Sequence, residues 1–185
     1  MRVIAGKAGG RSLKVPKGKG LRPTSDRVRS ALYSILTSLG ADLSRVLDLY
    51  AGTGALGIEA LSRGAGWCDF VEQDAAACAA IRENLALTGL ASSAKVYCLP
   101  ARRACRHLQG PYTLVLADPP YSDQEALKTL SEVATSPLLG PGATLALEHF
   151  WRQEVLPQWG SLSLAVHRRY GDTALSIYQA AGGED

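Results

Sequence analysis

The sequence predicts an α/β chain on a doubly wound, mostly parallel sheet, and three observations carry that prediction. From about residue 46 onward, short apolar β-type runs alternate with helix-type segments through short connections. The first run leads directly into a glycine turn, Asp48-Leu-Tyr-Ala-Gly52-Thr-Gly54-Ala-Leu-Gly57, which opens a helix. Near the end, two β-type runs face each other across Gly171 and Asp172, as in an antiparallel hairpin closing the sheet. A small basic extension, a β-hairpin plus a helix over residues 1–40, precedes the main domain at 41–185.

The elements follow in order. Arg2–Ala5 and Ser12–Val15 read as two short strands in a Gly-rich basic stretch, broken by Pro16 and Pro23. Thr24, Ser25 or Asp26 can cap a helix whose apolar stripe is Val28, Leu32, Ile35, Leu36 and Leu39, stopped at Gly40. Val46–Tyr50 is a strand, Leu56–Arg63 a helix, Cys68–Glu72 a strand and Ala75–Thr88 a helix. Strand Ala94–Leu99, helix Arg102–Leu108 and strand Thr113–Ala117 come next, then helix Gln124–Thr135 and strand Ala143–Leu147. A short helix is expected between Trp151 and Trp159, both read as packing residues. Leu162–Arg168 and Ala174–Tyr178 form the terminal hairpin.

Composition excludes several classes. With 185 residues and 46% apolar content the chain supports one core. No apolar run reaches the roughly 18 residues that span a bilayer, and no signal-peptide pattern opens the chain, so a soluble cytoplasmic protein without membrane association is expected. Cys68, Cys78, Cys98 and Cys105 lack C-x-x-C spacing and His107, His149 and His167 are scattered, so no metal site is expected. Monomer is the default state. The net charge of +3 is unevenly placed: nine Lys or Arg fall within residues 1–29, against the single acid Asp26. Lys7, Arg11, Lys14, Lys17, Lys19, Arg22, Arg27 and Arg29 are the candidate contacts to a polyanion such as RNA. The arginines near the start of the helix oppose its dipole, which favours an external anion as their reason for being there.

Asp118-Pro119-Pro120-Tyr121 follows a short, fully apolar run, where loops beyond parallel strands bind ligands. Two prolines fix φ and supply no N–H, leaving carbonyls as acceptors beside the Asp118 carboxylate, with Tyr121 able to stack on a ring. That set suits a planar exocyclic amino group. In the glycine turn, Ala51, Gly52, Thr53, Gly54 and Gly57 let the backbone approach an anionic group. Glu72, twenty residues beyond Gly52, can hold ribose hydroxyls, and Asp48 can receive an amino group.

Together these motifs resemble the S-adenosylmethionine-dependent methyltransferases of exocyclic amino nitrogens, on a Rossmann-like sheet. Arg22-Pro-Thr-Ser-Asp-Arg-Val-Arg29, Leu56-Gly-Ile-Glu-Ala-Leu-Ser-Arg63 and Tyr170-Gly-Asp-Thr-Ala-Leu175 make nearly the whole chain similar to the bacterial small-subunit (16S) ribosomal RNA guanine-N2 methyltransferase family. The resemblance implies S-adenosylmethionine as cofactor, held by residues 51–57, Asp48 and Glu72. It also implies 16S rRNA as partner, within a small subunit or an assembly intermediate. Catalysis would fall to Asp118, Pro119, Pro120 and Tyr121. The region Cys98-Leu-Pro-Ala-Arg102 lacks the family's polar adenine contact, which leaves backbone groups, Arg102 or Arg103 for that task. An adenine-N6 methyltransferase, a nicotinamide dehydrogenase, a protein-glutamine methyltransferase and a non-catalytic RNA-binding or assembly protein remain open on the residues alone.

Overall fold

The computed structural model describes residues 1–17 and 23–180. Five α-helices and eight strands are present among them: α1 (Asp26–Ser38), β1 (Arg45–Asp48), α2 (Ala55–Ser62), β2 (Trp67–Glu72), α3 (Ala75–Thr88), β3 (Ala94–Cys98), α4 (Ala104–His107), β4 (Tyr112–Ala117), α5 (Ala126–Ala134), β5 (Leu139–Phe150), β6 (Gln158–Trp159), β7 (Leu162–Tyr170) and β8 (Thr173–Ala180). The strands make one sheet in the order β3-β2-β1-β4-β5-β8-β7-β6. Its first five strands are parallel and the last three antiparallel, as expected.

The apolar runs read as continuous because both faces of the sheet are covered. Val46, Phe70, Leu114 and Leu116 point into the core shared with α1, α2 and α3. Their neighbours Leu47, Val71, Val115 and Ala117 point into the opposite core, with Leu130 and Val133 of α5. All of α2 is buried, which matches its apolar character on every side.

The N-terminal segment helps to cover α2. Val3, Ala8 and Leu13 belong to the same core, and the Glu59 carboxylate of α2 accepts the N–H groups of Ile4 at 2.9 Å and Ala5 at 3.0 Å. The two expected strands reduce to one antiparallel bridge, Arg2 to Ser12, flanked by backbone bonds from Val3 to Arg11 and from Leu13 to Met1, while the Ile4 and Ala5 donors turn to α2. Asn84 on α3 bonds both the N–H and the carbonyl of Lys14, and it also donates to the Thr53 carbonyl at 3.1 Å.

Ser25 is the N-cap of α1, its hydroxyl accepting the Val28 N–H. The segment between Trp151 and Trp159 holds no helix. Residues 158–159 form β6, and Trp159 stacks on Tyr178 with centroids 4.8 Å apart. No helix of the described residues is long and apolar enough to cross a membrane.

Candidate active site

The chain leaves β1 toward β2 on one side and leaves β4 toward β5 on the other, so a crevice opens above the carboxyl ends of these two adjacent strands. It is a cleft of about 800 Å³, within the usual range for a ligand site. The glycine turn and Glu72 form one wall, Pro100–Arg102 extend it, and Asp118–Tyr121 face it with Thr24 and Glu148.

On the turn side, Ala51, Gly52 and Thr53 line the cleft. Gly52 and Gly54 take φ values of 54° and 80°, a conformation that side chains disfavour, and at Gly52 the backbone itself forms the surface. Glu72 at the end of β2 accepts the Gly52 N–H at 2.8 Å and the Asp74 N–H at 2.9 Å, which fixes its carboxylate against the turn. Asp48, Gly54 and Gly57 do not reach the cleft surface and lie behind it. A Cβ on Gly57 would sit 2.4 Å from the Phe70 ring and 2.8 Å from the Cys68 sulfur, so this glycine lets α2 pack on β2. Asp48 is fully buried, with Oδ2 accepting the Gly57 N–H at 2.9 Å and Oδ1 lacking a protein partner among the described residues. Burial pushes its carboxyl up to about 7, the Gly57 N–H opposes the shift, and the nearby Glu72 charge adds to it.

On the facing side, Asp118 and buried Pro119 follow β4 directly. The Asp123 N–H takes the Pro120 carbonyl at 2.9 Å, whereas no backbone donor among the described residues takes that of Pro119. Tyr121 is 46% exposed, its ring centroid 5.7 Å from that of Phe150, and its hydroxyl lies 2.8 Å from Thr173 Oγ1. Thr24 Oγ1 lies 2.7 Å from Asp118 Oδ2 and 2.9 Å from Glu148 Oε2. Glu148 is thus a site residue that the sequence reading missed. Its one sequence signal is an acid directly after an apolar strand; the parallel pairing of Ala117 with Leu147 is what brings it beside Asp118.

The basic candidates separate by environment. Lys7, Lys17 and Arg27 are exposed and in no ion pair among the described residues. Arg11 donates to the Leu87 carbonyl at 2.8 Å and Lys14 pairs with Glu83, which ties both to α3. Lys19 and Arg22 lie outside the described residues. Arg29 departs from the expectation of an external anion. Its side chain is fully buried, with Nη2 donating to Asp26 at 2.7 Å and to the Arg2 carbonyl at 2.6 Å, so it clamps the N-terminal segment to α1. His149 is buried and bonded to Ser176 and the Phe150 carbonyl, with its pKa lowered chiefly by burial. Arg169 and Arg152 lie over the Trp151 ring, at 3.6 and 4.8 Å from its centroid. No cluster of potential metal ligands exists among the described residues.

A glycine turn and an Asp-Pro-Pro-Tyr loop facing each other across a switch-point cleft define a methyltransferase. Residues 1–179 match the family model described as Conserved hypothetical protein 95, and the chain belongs to that family. It is 34% identical over 179 residues to ribosomal RNA small subunit methyltransferase D of Escherichia coli (strain K12), covering 97% of this chain and 89% of the relative. YlbH of Bacillus subtilis (strain 168) is 35% identical over 185 residues, 98% of this chain and 100% of the relative. Among solved structures, yhhF from Escherichia coli superposes with a TM-score of 0.84 at 34% identity, covering 98% of both chains. An RNA methyltransferase from Salinibacter ruber, solved with S-adenosyl-L-homocysteine, shares the fold at a TM-score of 0.65 and 17% identity, over 89% of this chain and 96% of that one.

Proposed function

We propose that this protein methylates the exocyclic N2 amino group of a guanine in 16S ribosomal RNA, with S-adenosylmethionine as methyl donor. The observation that carries the reading is that Asp118, Pro119 and Tyr121 line one cleft with a glycine turn backed by Glu72.

The residues present fit the donor. Glu72 offers a carboxylate for ribose hydroxyls, the backbone of Ala51–Thr53 suits the amino-acid end, and Asp48 Oδ1 is a buried acceptor directly behind that turn. Gln73 and Pro100–Arg102 line the same wall beyond Glu72, and we assign the adenine to them in place of the family's polar contact. S-adenosylmethionine supplies an activated methyl group on a sulfonium, so the protein's task is mostly positioning.

Asp118 accepts one hydrogen of the amino group and the Pro119 carbonyl the other. Both bonds polarise the nitrogen toward attack. Tyr121 stacks on the base, its angle fixed by the bond to Thr173 and by Phe150. The proton released after transfer goes to Asp118 or to water. The base must leave its stack to reach the cleft, which favours a flipped or loop nucleotide. Lys7, Lys17 and Arg27 contact the surrounding phosphates, joined by Lys19 and Arg22 and, at the margin, by Arg11 and Lys14. The protein acts as a monomer on a small subunit or an assembly intermediate in the cytoplasm.

The test is methyl transfer from labelled S-adenosylmethionine to small-subunit particles and naked rRNA from cells lacking this protein, followed by nucleoside mass spectrometry. N2-methylguanosine supports the reading. A methyladenosine, or cofactor binding without transfer, overturns it.

A further inference from the structure

We propose that Glu148 reads the N1–H of the target guanine and so sets guanine over adenine at this site; the proposal rests on the function proposed above. Glu148 ends the apolar part of β5 and lines the cleft, and it is 8% exposed. β4 and β5 run parallel, and the pairing of Ala117 with Leu147 makes Asp118 and Glu148 neighbours at the ends of their strands. Their carboxylates lie 2.7 and 2.9 Å from the same hydroxyl, that of Thr24. A second hydroxyl, Thr173 Oγ1, lies 3.2 Å from Glu148 Oε1 and 2.8 Å from the Tyr121 hydroxyl. The amino-binding carboxylate, the stacking ring and Glu148 therefore form one bonded set.

The chemistry of the bases gives this pair of acids a meaning. The Watson–Crick edge of guanine carries N1–H beside the N2 amino group, two donor positions side by side. Two adjacent carboxylates match that edge, one taking the amino group and the other the ring N–H. Adenine presents its amino group beside an N1 lone pair, and a carboxylate held there faces a second acceptor. A nearly buried acid has little water to relieve that contact, so the wrong base is rejected by repulsion as well as by a missing bond. The Asp-Pro-Pro-Tyr loop recognises an amino group in either base; Glu148 supplies the distinction.

The experiment uses substrate RNA carrying either guanine or 2-aminopurine at the position that nucleoside analysis identifies. 2-Aminopurine keeps the N2 amino group but presents an N1 lone pair. Single-turnover transfer by the wild type should favour guanine by at least about 100-fold, since sites built around a substrate N–H reject analogues lacking it by about 10⁴-fold or more. Glu148→Gln offers an amide N–H to that lone pair, so its guanine rate should fall, its 2-aminopurine rate should rise, and the preference should shrink at least about tenfold. If the variant slows both RNAs by one factor, Glu148 only positions its neighbours and the proposal is wrong. The wild-type comparison tests the idea without any variant: N2-methylation of both RNAs at similar rates overturns the role of Glu148 while leaving the guanine-N2 reading intact. Failure of that reading shows separately, as a different methylated nucleoside from the unmodified RNA.

Discussion

Replacing Asp48 with asparagine removes a buried ionisable group while keeping an acceptor for the Gly57 N–H. The Asp48 carboxyl moves from its ordinary 3.8 up to about 7 on folding, chiefly by burial. Between those values the folded chain holds a proton that the unfolded chain has released, so stability falls as pH rises and levels off above the folded value. At about 1.4 kcal/mol per unit the whole interval amounts to roughly 4 kcal/mol, most of which, about 2–3 kcal/mol, falls between pH 5 and pH 8. The amide does not ionise, and its own packing cost is the same at both pH values. Urea unfolding of wild type and Asp48→Asn at pH 5 and pH 8 measures the effect, with the titrating groups not coupled to Asp48 cancelling in the difference. Relative to wild type, the variant should gain about 2–3 kcal/mol on going from pH 5 to pH 8. An equal difference at the two pH values refutes the reasoning.

Asp118→Ala should lower single-turnover methyl transfer by about 100-fold or more while leaving the dissociation constant for S-adenosylmethionine nearly unchanged; a parallel loss of both would move Asp118 to the cofactor's side of the cleft. Gly57→Ala forces a methyl group into the Phe70 ring and the Cys68 sulfur, and denaturant unfolding should show a loss of about 1–3 kcal/mol. Glu59→Ala strips the acceptor from Ile4, Ala5 and Arg63 in a fully buried place, with an expected cost of about 3 kcal/mol. In that variant limited proteolysis should cut near residues 4–10 well before the rest of the chain, and RNA affinity should drop more than cofactor affinity. Neutralising Lys7, Lys17 and Arg27 together should weaken RNA binding and flatten its salt dependence by about one unit of log–log slope for each phosphate left without its cation.

What the sequence makes legible is what depends on neighbours along the chain. The parallel strands announce themselves through runs buried on both faces, and the glycine turn and the Asp-Pro-Pro-Tyr loop are contiguous, so their places at the ends of β1 and β4 follow once the strands are recognised. Pairings made across the fold are not legible in this way. Arg29 looks like a surface charge until the carbonyl of Arg2, far away along the chain, is brought beneath it. The N-terminal segments keep a short antiparallel pairing but give the Ile4 and Ala5 donors to Glu59 on a distant helix. Glu148 acquires its position from strand adjacency, and Thr24, read as one of three possible caps, leaves that task to Ser25 and turns its hydroxyl into the cleft. Gly57 follows the pattern of a phosphate-loop glycine, yet the third glycine of such a turn serves helix packing, and the Phe70 ring occupies the space above it.

The reversal of strand order between β1 and β4 has a consequence for how such an enzyme can change over time. Apart from the Thr24 end of α1, one wall of the cleft is built from residues 49–102 and the other from residues 118–173. Substitutions in the second block can retune which nucleobase is accepted without rebuilding the wall proposed to hold the methyl donor. The scaffold thus separates what is given from what receives it, and each can drift at its own pace.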